Sequence, residues 1–205
     1  MLYRLVCFIL FIGSRIFYRV KVSGAEHIPA EGAFILCSNH IHSYDPAIIA
    51  TSIKRQLRFM AKKELFRNRV KGGFFRAMGA FPVDRNAADI ASYRNAMKAL
   101  KSGMGLLIFS QGTRMRKLDI KGAKGGAALF ALKAQVPIVP AGIESEYKFR
   151  RPLNLRYGKP ISMEKYAGRR INSDLLDEVM AEVMAEIAIL SNAPLEKDEQ
   201  NGGTE

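Results

Sequence analysis

Short apolar runs with the length of buried strands alternate with helical patterns along most of this chain, and this alternation constrains the fold more than any other feature. The runs are bounded by glycine, proline or polar turn residues. Strand patterns cover residues 33–37, 57–62, 81–83, 105–109, 136–143 and 153–160, and helical patterns cover 45–53, 86–101, 125–135 and 174–190. The alternation predicts a single α/β domain with a mainly parallel or mixed central sheet flanked by helices, in which 153–160 is an edge strand.

Residues 1–20 are predicted to form an N-terminal membrane-associated helix. An uncharged apolar run, 5–12, lies between Arg4 and Arg15. A helix that crosses a bilayer needs roughly 20 apolar residues, so we expect this one to lie in one leaflet or to dip partway into it. No small-residue cleavage site follows the run, which argues against a removed signal peptide. A helix in the core of the domain is the alternative, because short apolar runs are ambiguous.

The rest of the chain divides into one domain and a tail. Residues 21–191 are expected to form the domain, and its last helix carries apolar residues on one face, as helices packed on a core do. The polar residues 192–205 are predicted to be a disordered tail. Cys7 and Cys37 lie inside apolar runs, which predicts no disulfide and a reducing, cytoplasmic setting.

The formal net charge of +13 is unevenly distributed along the chain. From Asp174 onward there are nine acidic residues and one lysine, whereas the preceding residues include 31 basic and 10 acidic ones. Within residues 54–76, the basic stretch, nine basic residues accompany Glu64 alone. Such a stretch attracts polyanions, which include an anionic membrane surface, an acidic protein and nucleic acid. Charge by itself does not choose among these partners, and a merely solvated basic face fits it too.

Residues 38–46, SNHIHSYDP, place two of the three histidines beside an asparagine and an aspartate, directly after a predicted buried strand. Ligand sites in open α/β sheets gather at the carboxyl ends of strands. A catalytic zinc usually takes three protein ligands, and beyond His40, His42 and Asp45 the chain offers only His27 as a further imidazole. A metal-dependent phosphoesterase is therefore a weak alternative.

Asp45 followed by Pro46 is typical of a helix start, in which the aspartate is the N-cap and the proline takes the first helical position. The same carboxylate can turn back to His40 across the four-residue loop between them. A histidine oriented by a carboxylate can take a proton from an alcohol near neutral pH. No GxSxG nucleophile elbow accompanies the pair, so these residues predict direct transfer to a substrate hydroxyl without a covalent enzyme intermediate. Asp45 can both cap the helix and orient His40 only if one carboxylate oxygen serves each purpose.

Four sequence blocks resemble those of the glycerolipid acyltransferases, the 1-acylglycerol-3-phosphate acyltransferase family. NHIHSYD, residues 39–45, is similar to the family's NHx4D signature. GAFPVDR (79–85), FSQGTR (109–114) and VPIVPAGI (136–143) resemble the second, third and fourth blocks, in the family's order. An apolar N-terminal segment, as many members have, precedes them.

The resemblance implies transfer of a fatty acyl group from an acyl thioester to the free sn-2 hydroxyl of lysophosphatidic acid, which gives phosphatidic acid. It also implies that His40 is the general base and Asp45 its orienting partner. The residues expected to bind substrate are Asn39, Arg85, Gln111, Gly112, Thr113 and Arg114. The arginines suit a phosphate, and the backbone at Gly112 and Thr113 can approach one. No cofactor is expected beyond the acyl-carrier-protein or coenzyme A thioester that serves as co-substrate.

Gln111 departs from the family pattern, which commonly has glutamate there, and Ser110 replaces a proline. Gln111 keeps a hydrogen-bonding oxygen but lacks the negative charge. Acylation of a related lysophospholipid or of glycerol 3-phosphate is therefore kept as an alternative. Asp84 is a second partner for Arg85 and would compete with a phosphate.

An anionic lipid product requires membrane contact. The expected location is the cytoplasmic face of a membrane, with peripheral or monotopic attachment through the N-terminal helix and the basic stretch. The expected partners are an anionic membrane surface, the lysophospholipid acceptor and the acyl thioester. Nucleic acid is not an expected partner, because no binding motif of that class accompanies the charge. A basic nucleic-acid-binding module is kept as the alternative of a different class.

Overall fold

The computed structural model describes residues 2–84, 89–112, 123 and 125–193. In this part of the chain seven strands form one sheet in the order β1-β7-β6-β2-β5-β3-β4. Their bounds are β1 Arg19–Ser23, β2 Phe34–Ser38, β3 Leu57–Lys62, β4 Ala80–Val83, β5 Gly105–Phe109, β6 Ile138–Ser145 and β7 Pro152–Tyr157. The β6–β7 pair is antiparallel and the other neighbouring pairs are parallel, so the sheet is mixed.

Six α-helices accompany the sheet in the same residues. Their bounds are α1 Leu2–Phe17, α2 Asp45–Ser52, α3 Arg69–Ala77, α4 Ile90–Lys101, α5 Gly126–Ala134 and α6 Ser173–Ser191. Short 3₁₀ helices cover Ala25–His27, Lys63–Phe66 and Glu164–Tyr166. Helices α4, α5 and α6 contribute to the apolar core on one face of the sheet, and α2 contributes to the core on the other face. The prediction of a single α/β domain with a helix-flanked mixed sheet is confirmed.

Strand β2 lies at the centre of the sheet, and all five of its residues are buried. Ile35 and Cys37 point into the core with α4, α5 and α6, whereas Phe34 and Leu36 pack in the core that contains α2. A strand covered on both faces needs apolar side chains at every position, which explains the uninterrupted run Phe-Ile-Leu-Cys. The end of this rigid strand is where the histidine cluster begins.

The prediction that 153–160 is an edge strand is wrong. Strand β1, which the sequence patterns did not reveal, pairs parallel with β7 from Arg19 with Pro152 to Ser23 with Arg156. In β1 the charged residues Arg19 and Lys21 alternate with half-buried valines, and no position is fully buried. This weak pattern follows directly on the apolar helix, so it resembles a continuation of that segment rather than a strand.

The helix predicted over 86–101 begins at Ile90 in the described residues, since Asp89 is extended and its side chain caps the helix by accepting from the Ser92 N–H. Residues 86–88 lie outside the described part of the chain. The tail from residue 194 also lies outside it, so the disorder predicted for the tail stays a prediction. The helices predicted over 125–135 and 174–190 agree with α5 and α6 to within one residue at each end.

Helix α1 packs on α2 and lies outside both cores. Its one buried residue is Ser14, and the large apolar residues Leu5, Phe8 and Ile9 are each more than half exposed. Helix α1 is therefore not a core helix, and that alternative interpretation is wrong. None of the helices in the described residues is long and apolar enough to cross a membrane.

Candidate active site

His40 and Asp45 meet in the loop that joins the end of β2 to α2. The Nδ1 atom of His40 lies 2.7 Å from Oδ2 of Asp45. Asp45 is fully buried and 12% of the His40 side chain is exposed, so the pair is sheltered while the ring still reaches the surface. The predicted pairing is present, at the carboxyl end of the central strand, where α/β folds commonly bind ligands.

The loop wraps around one oxygen of the Asp45 carboxylate. Oδ2 accepts from the backbone N–H of Ile41 at 2.7 Å and from that of His42 at 2.8 Å, in addition to the His40 ring. A carboxylate next to Nδ1 favours the tautomer that carries its proton there. The lone pair of the ring is then on Nε2, which is the atom that can accept a proton from a substrate.

The prediction that Asp45 caps α2 is wrong. The N-cap position is Tyr44, and no side chain caps this helix, although Pro46 lies in its first turn as predicted. The second carboxylate oxygen, Oδ1, instead accepts a hydrogen bond from the hydroxyl of Tyr147. One carboxylate oxygen therefore bonds to residues 40–42 within the loop of residues 39–45, the candidate catalytic loop, and the other bonds to a tyrosine 102 residues away.

Phe109 supports the other side of the His40 ring. The two rings are stacked, with centroids 4.0 Å apart and planes 17° from parallel. Phe109 ends β5, the neighbour of β2 in the sheet. Stacking on Phe109 restricts tilting of the His40 ring, and the hydrogen bond to Asp45 restricts rotation of the ring in its own plane. Sequence reasoning missed this role, although Phe109 is the first residue of the block FSQGTR, residues 109–114.

Asn39 uses its whole amide to bind β6. Its Nδ2 donates to the carbonyl of Ile143, and its Oδ1 accepts from the N–H of the same residue, both at 2.8 Å. Asn39 is almost completely buried. These bonds anchor the start of the catalytic loop; contact of Asn39 with substrate stays a prediction.

Of the predicted ligands in the third block, Gln111 and Gly112 lie within the described residues. Gln111 is buried, and Gly112 has φ of +66°, a left-handed conformation that favours glycine. The N–H of Gly112 donates to the carbonyl of Phe109 and closes a turn, so it is not the N–H that would approach a phosphate. Arg85, Thr113 and Arg114 lie outside the described residues, and their predicted contacts with substrate stay predictions. Asp84 forms an ion pair with Lys63.

Phe109 lines two cavities, and the larger one, which His40 also lines, has a volume of about 480 Å³. It is bounded by α1, α2, β3, the Lys63–Phe66 segment and α3, and its walls are mainly apolar. His40 and Phe109 form part of one wall, and Tyr3 and Leu10 of α1 form another. A cavity of this size and lining suits a flexible apolar ligand whose reactive end lies at the histidine.

The smaller cavity has a volume of about 240 Å³ and lies at the carboxyl ends of β4 and β5. Asp84, Gly112 and Gly126 line it, the last at the start of α5. It shares Met60, Leu107 and Phe109 with the larger cavity. The two cavities therefore adjoin, and the stacked pair of His40 and Phe109 stands near their common wall.

The metal hypothesis required further ligands near the histidine cluster. His27 instead places its Nδ1 atom 3.0 Å from the backbone oxygen of Tyr157. Cys37 points into the core, where burial raises the pKa of its thiol to about 12. Among residues 2–84, 89–112, 123 and 125–193, no group of three His, Cys, Asp or Glu side chains could hold a metal ion.

A buried aspartate in contact with a histidine, at the end of a central strand and next to an apolar cavity, is an arrangement suited to general acid–base chemistry in an α/β fold. The acyltransferase family model matches residues 19–144, which include the whole loop from Asn39 to Asp45. The chain belongs to the acyltransferase family.

Two relatives illustrate this membership. The 1-acyl-sn-glycerol-3-phosphate acyltransferase of Bacillus subtilis (strain 168) is 33% identical over 154 residues, which cover 72% of this chain and 76% of the relative. The protein of the same name from Streptococcus pneumoniae is 32% identical over 160 residues, 75% of this chain and 58% of the relative. The crystal structure of the 1-acyl-sn-glycerophosphate (LPA) acyltransferase from Thermotoga maritima matches with a TM-score of 0.70 over 95% of this chain and 83% of that one; at 23% identity it shows a shared fold.

Proposed function

We propose that this protein transfers a fatty acyl group from an acyl thioester to the free sn-2 hydroxyl of lysophosphatidic acid and so makes phosphatidic acid. The relatives from Bacillus subtilis and Streptococcus pneumoniae carry the name of this activity. The observation that carries the proposal is the contact of 2.7 Å between His40 Nδ1 and the buried Asp45, with the ring at the wall of an apolar cavity.

In the proposed reaction, Nε2 of His40 removes the proton of the acceptor hydroxyl while that oxygen forms a bond to the thioester carbonyl carbon. The tetrahedral intermediate then collapses, the carbon–sulfur bond breaks, and the imidazolium returns the proton to the leaving thiolate. Asp45 stabilises the imidazolium between these two steps. No covalent enzyme intermediate is needed.

The oxyanion of the tetrahedral intermediate needs hydrogen-bond donors. The N–H groups of Ile41 and His42 are the nearest in the chain to His40, but both donate to Oδ2 of Asp45. They serve the base and not the oxyanion. We therefore infer that the oxyanion donors come from another segment or from bound substrate.

The larger cavity is the proposed site of the acyl chain. Its lining by Ala47, Ala50, Phe59 and Phe74 offers apolar contact along a path that reaches His40. Burial of each methylene contributes about 0.8 kcal/mol, so this cavity favours a long chain over a short one. The acceptor is proposed to approach from the smaller cavity, which lies at the carboxyl ends of β4 and β5. The predicted ligands Arg85, Gln111, Thr113 and Arg114 follow these strands in the sequence.

Attachment to the cytoplasmic face of a membrane, peripheral or monotopic, is the proposed location. Helix α1 exposes an apolar surface, and the exposed Phe149 packs edge-on against Phe17 at its end. The basic stretch adds exposed cations, which include Lys62, Arg67 and Lys71. Two such signals together support stable attachment to anionic lipid. Because α1 also lines the larger cavity, an acyl chain could pass between bilayer and site along this helix.

The basic stretch is proposed to meet an anionic membrane surface and not nucleic acid. It could also receive the acidic surface of an acyl carrier protein or the phosphates of coenzyme A, both of which remain open as acyl donors. Arg55 is excluded from these roles because its guanidinium donates to the backbone oxygens of Pro29 and Gly103. No cofactor is proposed.

The test is an acyl-transfer assay with detergent-dispersed lysophosphatidic acid, in which acyl-carrier-protein and coenzyme A thioesters are compared as donors. His40→Ala should lower the rate by about 10³-fold or more, because general-base catalysis and the oriented relay are both lost. His27→Asn is the matched control, because asparagine can still donate a hydrogen bond to the backbone oxygen of Tyr157. This variant should retain activity. Glycerol 3-phosphate and other lysophospholipids serve as competing acceptors.

Full activity of His40→Ala would contradict the mechanism. A strong preference for glycerol 3-phosphate, or for another lysophospholipid, over lysophosphatidic acid would contradict the proposed acceptor while leaving acyl transfer intact. Binding to DNA but not to anionic vesicles would contradict the proposed role of the basic stretch.

A further inference from the structure

Tyr147 lies beyond the four motif blocks, yet its hydroxyl is hydrogen-bonded to the carboxylate on which His40 depends. We propose that Tyr147 is a positioning residue of the His40–Asp45 pair, which orients the carboxylate and sets how strongly it attracts the imidazolium. Because this role presupposes that His40 is the base, the inference rests on the proposed function and deepens it.

The first step is the hydrogen-bond balance of a fully buried carboxylate. Oδ2 of Asp45 receives three donors, from His40, Ile41 and His42. Oδ1 receives the hydroxyl of Tyr147. A buried carboxylate oxygen without a donor is costly, and a carboxylate held at one oxygen alone can rotate about its Cβ–Cγ bond. Tyr147 therefore holds Oδ2 toward the histidine.

The second step is the charge state of the tyrosine. Burial, together with the neighbouring charge of Asp45, raises the pKa of Tyr147 above its ordinary value. The phenol therefore stays protonated and remains a donor at every pH at which the enzyme works. By donating to Oδ1 it withdraws charge from the carboxylate and weakens its pull on the imidazolium.

The third step is the way in which the fold holds Tyr147. Its backbone has φ of +51°, a left-handed conformation that is uncommon for a residue with a large side chain. The Oγ of Ser145 accepts its N–H at 2.9 Å, and its ring stacks on His42 at a centroid distance of 4.1 Å. Tyr18 packs edge-on against the same ring at 5.4 Å. Uncommon backbone conformations maintained by several contacts concentrate at functional sites.

Other titratable groups lie near the pair. Tyr44 stacks on His42 in the catalytic loop, Tyr18 follows α1, and Tyr3 of α1 and Lys62 of β3 line the larger cavity with His40. Among the described residues, Tyr147 is the one whose side chain donates to Oδ1 of Asp45. Its removal should therefore act on His40 through this carboxylate and not through the cavity.

The test compares Tyr147→Phe with Tyr157→Phe in the whole chain. Tyr157 is the matched control, because it is also buried and its hydroxyl bonds to Ser52 on α2, away from the His40–Asp45 pair. Two quantities are measured: the pKa of His40 by NMR of isotope-labelled histidine, with the three histidines assigned by substitution, and the pH dependence of kcat/KM for acyl transfer.

In Tyr147→Phe we expect the pKa of His40 and the acidic limb of the pH profile to rise together by about half a unit or more, because the carboxylate keeps more of its charge. At neutral pH, kcat should fall by up to about threefold for each half unit of this shift, while KM for the thioester changes by less than about twofold. The loss should shrink at high pH. Tyr157→Phe should leave both the titration and the limb unchanged.

An unshifted His40 titration in Tyr147→Phe, or a loss of kcat that is equal at every pH, would overturn the proposal and leave Tyr147 a merely structural residue. If that variant does not fold, 3-fluorotyrosine at position 147, a stronger donor, should shift the His40 titration downward, and no shift would overturn the proposal. Failure of the wild-type protein to acylate lysophosphatidic acid would instead contradict the proposed function, and the titration would still test the contact.

Discussion

The side-chain amide of Asn39 pairs with both backbone groups of Ile143, as a further strand residue would. Strand β2 ends at Ser38. The pairing of Asn39 with Ile143 extends the contact between β2 and β6 by one residue beyond that end. It holds the loop immediately before His40. Four residues after Ile143, Tyr147 contacts Asp45 at the other end of the same loop. The segment 143–147 therefore supports the catalytic loop at both ends.

Asn39→Ala should lower the free energy of unfolding by about 2–4 kcal/mol, because it leaves a buried N–H and a buried carbonyl of Ile143 without partners. Chemical denaturation measures this change. Asn154→Ala is the control, since the half-buried amide of Asn154 donates to Glu144 and its loss should cost less than about 1 kcal/mol. Equal effects of the two substitutions would contradict the anchoring role of Asn39.

Ala50→Leu should shorten the preferred acyl chain. Ala50 lines the larger cavity, and the added side chain occupies space that the distal methylenes of a long chain would fill. Each methylene excluded costs about 0.8 kcal/mol, which corresponds to about a fourfold loss in kcat/KM for the longest substrates. The measurement is kcat/KM over a series of thioester chain lengths. Ala181→Leu, at an exposed position of α6, should leave the series unchanged.

Phe8→Asp should weaken binding to vesicles that contain anionic phospholipid. Phe8 is 60% exposed on α1, and a charged side chain there opposes burial among lipid chains. Co-sedimentation should show at least a tenfold loss of bound protein at equal lipid concentration. Ile189→Asp changes an apolar residue that is 72% exposed on α6, the acidic helix, and should have little effect. Equal losses of bound protein in the two variants would contradict a membrane contact at α1.

Asp89→Asn should change how stability depends on pH. Hydrogen bonds from the backbone N–H groups of Asp84 and Ser92 hold the pKa of Asp89 at about 2, below its ordinary value of 3.8. Since the folded-state pKa is lowered, the ionised carboxylate stabilises the fold above about pH 4, and this contribution is lost as the pH falls toward 2.

The difference in Tm between wild type and Asp89→Asn, measured by thermal unfolding, should be constant above about pH 5 and narrow between about pH 4 and pH 2. Asp89→Ala, which removes the cap of α4 altogether, should lower Tm further at neutral pH. A difference that does not depend on pH would show that the charge of Asp89 does not contribute.

Local patterns in the sequence were enough to predict most of the sheet and the contact between His40 and Asp45. The runs that became β2 and β5 are apolar at nearly every position because both of their faces are covered. His40 and Asp45 are separated by four residues, so a single tight loop brings them together whatever the rest of the fold. The resemblance of this loop to a family signature was informative about the family to which the chain belongs.

The tertiary structure alone decided what surrounds that pair. Strand β1 joins the sheet through β7, more than 100 residues along the chain, and its half-exposed pattern gave no signal of this. Phe109 reaches His40 because β5 lies next to β2, and Tyr147 reaches Asp45 because β6 lies on the other side. These contacts depend on the order of strands in the sheet, which local periodicity does not encode. They also removed Asp45 from the role of helix cap and gave its second oxygen to a tyrosine.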